Sequence, residues 1–273
     1  MRWLLNLYLK YCLSKKKYHG RLKRICNIKP DIIDARDFKI TSISMEESEI
    51  FSLQQYLPPE FNQGSIGSCW SNAKIGMALL MYKKSNPRKY QDIMQYFNGF
   101  SRLADYYWSR DLDETISTDT DEDTGQSMRE GCKIIHKIGL APEKLWVYDT
   151  RNYQIVPPQL AKVFAYLYKS PVYYRVYSLK EAMKILATQE KPIGIGIWVD
   201  KNFINKGAGL IEDINIDEAQ FMRTGHAMYI YKKDDIKEQA TLRNSWGLGD
   251  DVIMPYSVLQ KAWIDAWTFD IKN

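Results

Sequence analysis

Asn62-Gln63-Gly64-Ser65-Ile66-Gly67-Ser68-Cys69-Trp70 is the stretch on which the reading of this chain turns. A cysteine stands directly before a strongly helical run, with a glutamine six residues upstream and small residues crowded between them. Gln63 offers an amide donor. Gly64 and Gly67 let the backbone bend and approach a ligand closely. Cys69 falls at a helix N-terminus, where the macrodipole favours a thiolate over a thiol. The stretch has the parts of a sulfur nucleophile beside an oxyanion site.

Outward from Cys69, Trp70, Ala73, Met77, Leu80 and Met81 recur at helical spacing, and Ser85-Asn86-Pro87 ends the run. A second helix is expected over Met94–Arg110. Asp111–Asp123 holds seven acids in thirteen residues and reads as a solvated surface loop, with a cation site or a specificity loop for basic substrates as the sharper reading. Helical spacing returns over Gly125–Lys137 and stops at Gly139, a C-cap candidate, with one more helix over Pro158–Tyr168.

After about residue 170 the pattern changes. Val172–Tyr177 is β-branched and aromatic, and Ser178-Leu179-Lys180-Glu181 is a capping box opening a short helix. Pro192–Val199 alternates Ile with Gly and Trp, a strand whose backbone something approaches closely. His226–Tyr231, Ala240–Arg243, Val252–Met254 and Trp263–Phe269 read as further strands. Helices followed by strands predict an α+β fold of two lobes with a cleft between them. The expected divisions are an arm over 1–60, a helical lobe over 61–170 and a β-rich lobe over 171–273.

A cysteine nucleophile needs a base, and the base an orienter. Only His19, His136 and His226 are available. His226 follows Gly225 at the head of a strand, and Asn244 lies 18 residues later, a spacing that suits two antiparallel strands joined by a turn. The Asn244 carboxamide is then placed to hold one imidazole nitrogen while the other faces sulfur. His136 and His19 have no motif around them, and Cys132 reads as core.

Gln63…Gly67-Ser68-Cys69-Trp70, then Gly225-His226-Ala227, then Asn244-Ser245-Trp246-Gly247 resemble, in order, the three signature blocks of the papain and cathepsin family of cysteine peptidases. Gly125…Gly139-Leu140, Glu143 and Trp146–Tyr148 resemble a further segment of the family, so the likeness runs from about Leu57 to Phe269. It implies a helical N-terminal lobe and an antiparallel β-sheet or barrel C-terminal lobe. It implies Cys69 as nucleophile with a depressed thiol pKa, His226 as ion-pair partner and acid, and Asn244 as orienter. Trp246 shields that hydrogen bond. Gln63 and the Cys69 N–H form the oxyanion hole, and Gly125 pairs with the substrate main chain. The reaction is peptide hydrolysis through an acyl-enzyme, without metal or cofactor. A latent binding protein and an acyl transferase or ligase are the alternatives on the same fold.

Three departures stand out. Ile66 occupies a position where many family members carry a disulfide cysteine. Leu248-Gly249-Asp250-Asp251 replaces the family's second Trp-Gly segment. Only 68 residues precede Cys69, too few for a long helical prosegment; Lys29-Pro30-Asp31 and Ala35-Arg36-Asp37 look more like bacterial xylellain-type relatives, in which a short N-terminal segment packs along or over the cleft.

Composition agrees with a globular body, 45% hydrophobic and 13% aromatic, with a core to match. The charge is uneven. Nine of the 38 basic residues fall in residues 1–30 beside no acid, which leaves 29 basic against 33 acidic residues elsewhere, a net of −4. A generic nucleic-acid surface is therefore excluded for the body. Residues 1–17 form a helix of mixed character that reads as docked on the body, as an interfacial membrane or partner anchor, or as a targeting segment. Four scattered cysteines make neither a disulfide framework nor a zinc site and favour a reducing, intracellular setting.

Overall fold

The computed structural model describes residues 28, 30–40, 48–112, 122–249 and 251–272. The expected helix over 1–17 and most of the acidic run lie outside the described residues.

Helix α1 (Cys69–Ser85) is buried on every side from Cys69 to Tyr82 and runs through the core. Even Lys74 is enclosed, its ammonium 2.8 Å from the buried Asp105 carboxylate. The Asn86 side chain accepts the Lys89 N–H at 3.1 Å, and Pro87, whose missing donor costs nothing at a first turn, opens α2 (Pro87–Phe97). The single helix expected over Met94–Arg110 is two helices. Asn98 ends the first in the left-handed conformation at φ 60°, Gly99 follows at φ 89°, and Ser101 caps α3 (Arg102–Asp111). Helix α4 (Met128–Lys137) starts at the Ser127 cap, and α5 (Gln159–Ala165) runs into a 3-10 turn.

The strands are β1 (Ile50–Ser52), β2 (Tyr173–Arg175), β3 (Ile193–Trp198), β4 (Gly209–Leu210), β5 (Gly225–Asp234), β6 (Gln239–Arg243), β7 (Val252–Pro255) and β8 (Trp263–Phe269). They form one sheet in the order β2-β8-β3-β5-β6-β7-β4, with β1 on the far half of β5. All pairs are antiparallel except β4 with β7. Helix α1 packs on β5 and β3. The Trp70 ring lies so close to Gly194 that a side chain there would collide with it, and at Gly196 a side chain would press on Ile28 and Met128, which explains the two glycines of β3.

Ser178 caps α6 (Leu179–Thr188) as expected, accepting the Glu181 N–H at 3.2 Å. Short helices α7 (Lys201–Lys206), α8 (Ile216–Met222) and α9 (Tyr256–Ala262) interrupt the strands and were not legible as periodicity, being two turns or less. Asp200 caps α7 by accepting the Phe203 N–H at 2.8 Å, and Gly207 closes it in the left-handed region. Among the described residues no helix is long and apolar enough to cross a membrane.

Candidate active site

The site forms where the start of α1 meets the head of β5. The Cys69 thiol lies within the influence of the Ala227, Trp70 and Cys69 N–H groups, and Ala227 is the residue after His226. His226 Nε2 lies 2.8 Å from Asn244 Oδ1. The strands explain the juxtaposition: β5 and β6 are antiparallel neighbours, and Asn244 follows the last residue of β6. Asn244 is itself fixed, donating to the Gly207 carbonyl at 2.7 Å and accepting the Ser245 N–H at 2.8 Å. Its oxygen is thus an acceptor for the Nε2 proton, a tautomer that leaves Nδ1 as the proton-accepting nitrogen. The Trp246 ring covers the imidazole, with centroids 4.6 Å apart and planes inclined by 31°. Phe203 of α7 closes the other edge, 5.6 Å from Trp246.

Gln63 enters from the loop before α1. Its Oε1 accepts from the Ser245 hydroxyl at 2.8 Å, and Nε2 donates to the Ile66 carbonyl at 3.0 Å. Its backbone N–H bonds the Ser245 carbonyl at 2.8 Å. Tyr148 holds the loop from the other side, donating its hydroxyl to the Gln63 carbonyl at 2.8 Å with the Ser68 hydroxyl 2.6 Å away. Arg102 stacks on the Tyr148 ring, 3.8 Å from its centroid. Ile66, lacking a disulfide partner, is buried among Leu103, Tyr106 and Tyr153. Glu60 accepts the N–H groups of Leu248 and Gly249 at 3.0 Å each, so the shortened stretch after Trp246 is a closed loop.

Gln63, Cys69, His226, Asn244 and Trp246 therefore share one site. Gly125 lies beside Gly67, one shell away, with its N–H donated to the Tyr106 hydroxyl at 3.2 Å. His136 is on the surface, bonded to the Ser170 carbonyl at 3.0 Å, and Cys132 is core. The sequence reading missed the supports Ser245, Tyr148 and Phe203. Ser245 was inside a quoted block without a role, and the glycine-poor aromatic run at Trp146–Tyr148 carried the only hint of Tyr148.

The thiol differs from expectation. Burial pushes Cys69 up to about 11, against the pull of the Ala227, Trp70 and Cys69 amides. Cys69 and His226 are both fully buried, so solvation of a thiolate is lost and three N–H groups do not replace it. The N-terminal segment lies against the strand that carries His226. Ile28, buried, donates its N–H to the Gly225 carbonyl at 2.8 Å, against the residue preceding His226. Its side chain sits over Gly196 and Met128. A side chain at Gly225 would strike the Ile28 carbonyl. Beyond Ile28, Asp31 accepts the Arg129 N–H at 2.8 Å and bonds the Ser127 hydroxyl, and its own N–H donates to Asp265 at 3.2 Å. Asp37 pairs with Arg129 at 2.6 Å and Arg175 at 3.2 Å.

An uncharacterised peptidase C1-like protein of Acanthamoeba polyphaga mimivirus is 30% identical over 242 residues, covering 85% of this chain and 71% of that protein. The chain belongs to the papain-like family of cysteine peptidases. Among solved papain-like structures, xylellain, a cysteine protease from Xylella fastidiosa, superposes with a TM-score of 0.74 at 25% identity, over 94% of this chain and 100% of that one. A procathepsin B from Trypanosoma congolense shares the papain-like fold, with a TM-score of 0.66 at 10% identity over 90% of this chain and 87% of the other. No family model matches the sequence.

Proposed function

We propose that the protein is a cysteine endopeptidase held latent by its own N-terminal segment. Cys69 attacks the peptide carbonyl, and His226 takes the thiol proton through Nδ1 and returns it to the leaving amine. Water then attacks the thioester with the same imidazole as base, releasing the acid and regenerating Cys69. Asn244 holds the imidazole, and Trp246 keeps water from their hydrogen bond. Gln63 and the Cys69 N–H stabilise the oxyanion. The observation that carries this reading is the 2.8 Å His226–Asn244 bond beside a thiol lying against the Ala227 amide. Substrate pairing at Gly125 requires its N–H to exchange the Tyr106 hydroxyl for a substrate carbonyl.

Latency follows from the burial of Cys69 and His226 and from Ile28 against Gly225. Residues 1–60 act as an arm and short prosegment, 61–170 as the lobe of the nucleophile and 171–273 as the lobe of His226 and Asn244. Peptide hydrolysis and labelling by an epoxysuccinyl inhibitor test the proposal. Both are expected to rise when the N-terminal segment is released and to vanish in Cys69→Ala. Normal cleavage by Cys69→Ala protein would sink the assignment. Absence of labelling after release would leave a latent binding protein on a peptidase fold.

A further inference from the structure

Asp123 closes the acidic run that sequence reads as a solvated loop, yet its carboxylate turns inward. It accepts the Gly67 N–H, with Oδ1 at 2.9 Å and Oδ2 at 3.2 Å. Its Oδ1 also takes the Tyr106 hydroxyl proton, and that hydroxyl in turn accepts the Gly125 N–H at 3.2 Å. The neighbouring Glu122 carbonyl is fixed by Arg110 at 2.7 Å. So the carboxylate is delivered to Gly67 by a held segment.

Gly67 shares a peptide plane with Ile66. The Ile66 carbonyl accepts from Gln63 Nε2 at 3.0 Å. A peptide unit is rigid, so the direction of its N–H dictates that of its C=O. Pinning the Gly67 N–H therefore aims the Ile66 carbonyl, which aims the Gln63 carboxamide. Ser245 fixes the other end of that carboxamide at 2.8 Å. One of the two Nε2 hydrogens goes to Ile66, and the oxyanion role requires the other.

We propose that Asp123 is a positioning residue for the oxyanion site, acting on Gln63 through the Ile66–Gly67 peptide. This rests on the reading of Gln63 as oxyanion donor. Asp123 ties the nucleophile loop to the segment before Gly125 by charge-assisted hydrogen bonds, and Tyr106 is its second anchor. With glycine at 67, the loop has no side-chain packing of its own there to replace the tie.

A double-mutant cycle on the full-length chain after release of its N-terminal segment tests this, by hydrolysis of a fluorogenic peptide. In Asp123→Ala, kcat is expected to fall about tenfold with KM within about twofold, part of the 10²–10³-fold attributable to a whole donor. Asp123→Asn keeps an oxygen for both partners and is expected to recover to within about threefold. In a Gln63→Ala background, Asp123→Ala is expected to change kcat less than twofold. Equal losses in both backgrounds overturn the proposal, as does a rate loss that tracks melting temperature across variants. The second measurement is NMR. The Gln63 side-chain amide resonances and Gly67 amide exchange are expected to change in Asp123→Ala and not in Asp123→Asn. Unchanged Gln63 resonances overturn the coupling. A wild-type chain that hydrolyses nothing after release of its N-terminal segment overturns the peptidase reading instead, and the NMR arm still decides the role of Asp123.

Discussion

The two halves of the site are held by different means. His226 stands near the start of a ten-residue strand, paired with Ile197 of β3, and the ladder with β6 takes up the same strand from Tyr229 onward, so its main chain is placed by the sheet. Gln63 stands in an irregular loop between Asn62 and Ser68. There, one isolated bridge of Asn62 with Trp246 and the Gln63 N–H on the Ser245 carbonyl are joined by individual side-chain bonds from Tyr148 and Asp123. The imidazole inherits its place from the sheet, whereas Gln63, the proposed oxyanion donor, inherits its place from a few named groups. A ladder degrades gradually, but a loop of this kind changes with the loss of one partner.

Replacing His226 tests the strand half and should have the largest effect. His226→Ala is expected to lower kcat/KM about 10⁴-fold while the denaturation midpoint moves little, because the ladder does not use the imidazole. Gln63→Ala is expected to lower kcat by about 10²–10³-fold with KM nearly constant. A KM effect as large as the kcat effect would place Gln63 in substrate binding and not at the oxyanion.

The N-terminal segment distinguishes the halves again, since its described contacts fall on the strand side, at Gly225 and Asp265, and on α4. Ile28→Asp puts a carboxylate into a buried apolar site and should expel the segment. Alkylation of Cys69 by iodoacetamide is then expected to lose its alkaline midpoint near 11 and proceed at neutral pH. An unchanged midpoint would mean that the segment is not what keeps the thiol dry.

The smallest predicted effect is a pH dependence of docking. Burial and the adjacent Asp31 push Asp265 up to about 7, against the pull of Arg175 at 3.0 Å. The docked form therefore binds a proton that the released form, without Asp31, holds less tightly. Docking is strongest in acid, weakens as pH rises towards about 7 and is level above it. Limited proteolysis of the segment should accelerate a few-fold from pH 5 to 8, and Asp31→Asn should flatten the profile.

The same division governs what the sequence reveals. His226 and Asn244 were legible because strand alternation and an 18-residue spacing constrain both ends. Cys69 was legible because small residues and a helix start sit beside it. Tyr148, 80 residues from Ser68, and Asp123, 56 from Gly67, were not, because nothing local marks a side chain that serves a distant loop. The pKa of Cys69 was misread for a related reason: amide dipoles are local to the helix start, but burial belongs to the whole assembly. The split of the helix at Asn98-Gly99 was visible as residues tolerant of positive φ, though outweighed by the aromatic run on either side.

Strand β1 bears on the proposed latency. Ile50–Ser52 is paired into the sheet at Lys232–Asp234, and only 22 positions separate Ile28 from Ile50. Ile28 is thus an intramolecular neighbour of its own pocket, and the Asp31 and Asp37 contacts hold the chain that follows it. Under the proposed latency, a free substrate would meet that intramolecular competitor at every encounter. One cut between Ile40 and Ile50 changes the comparison from tethered to free, and the segment is then lost by dilution while β1 stays in the sheet.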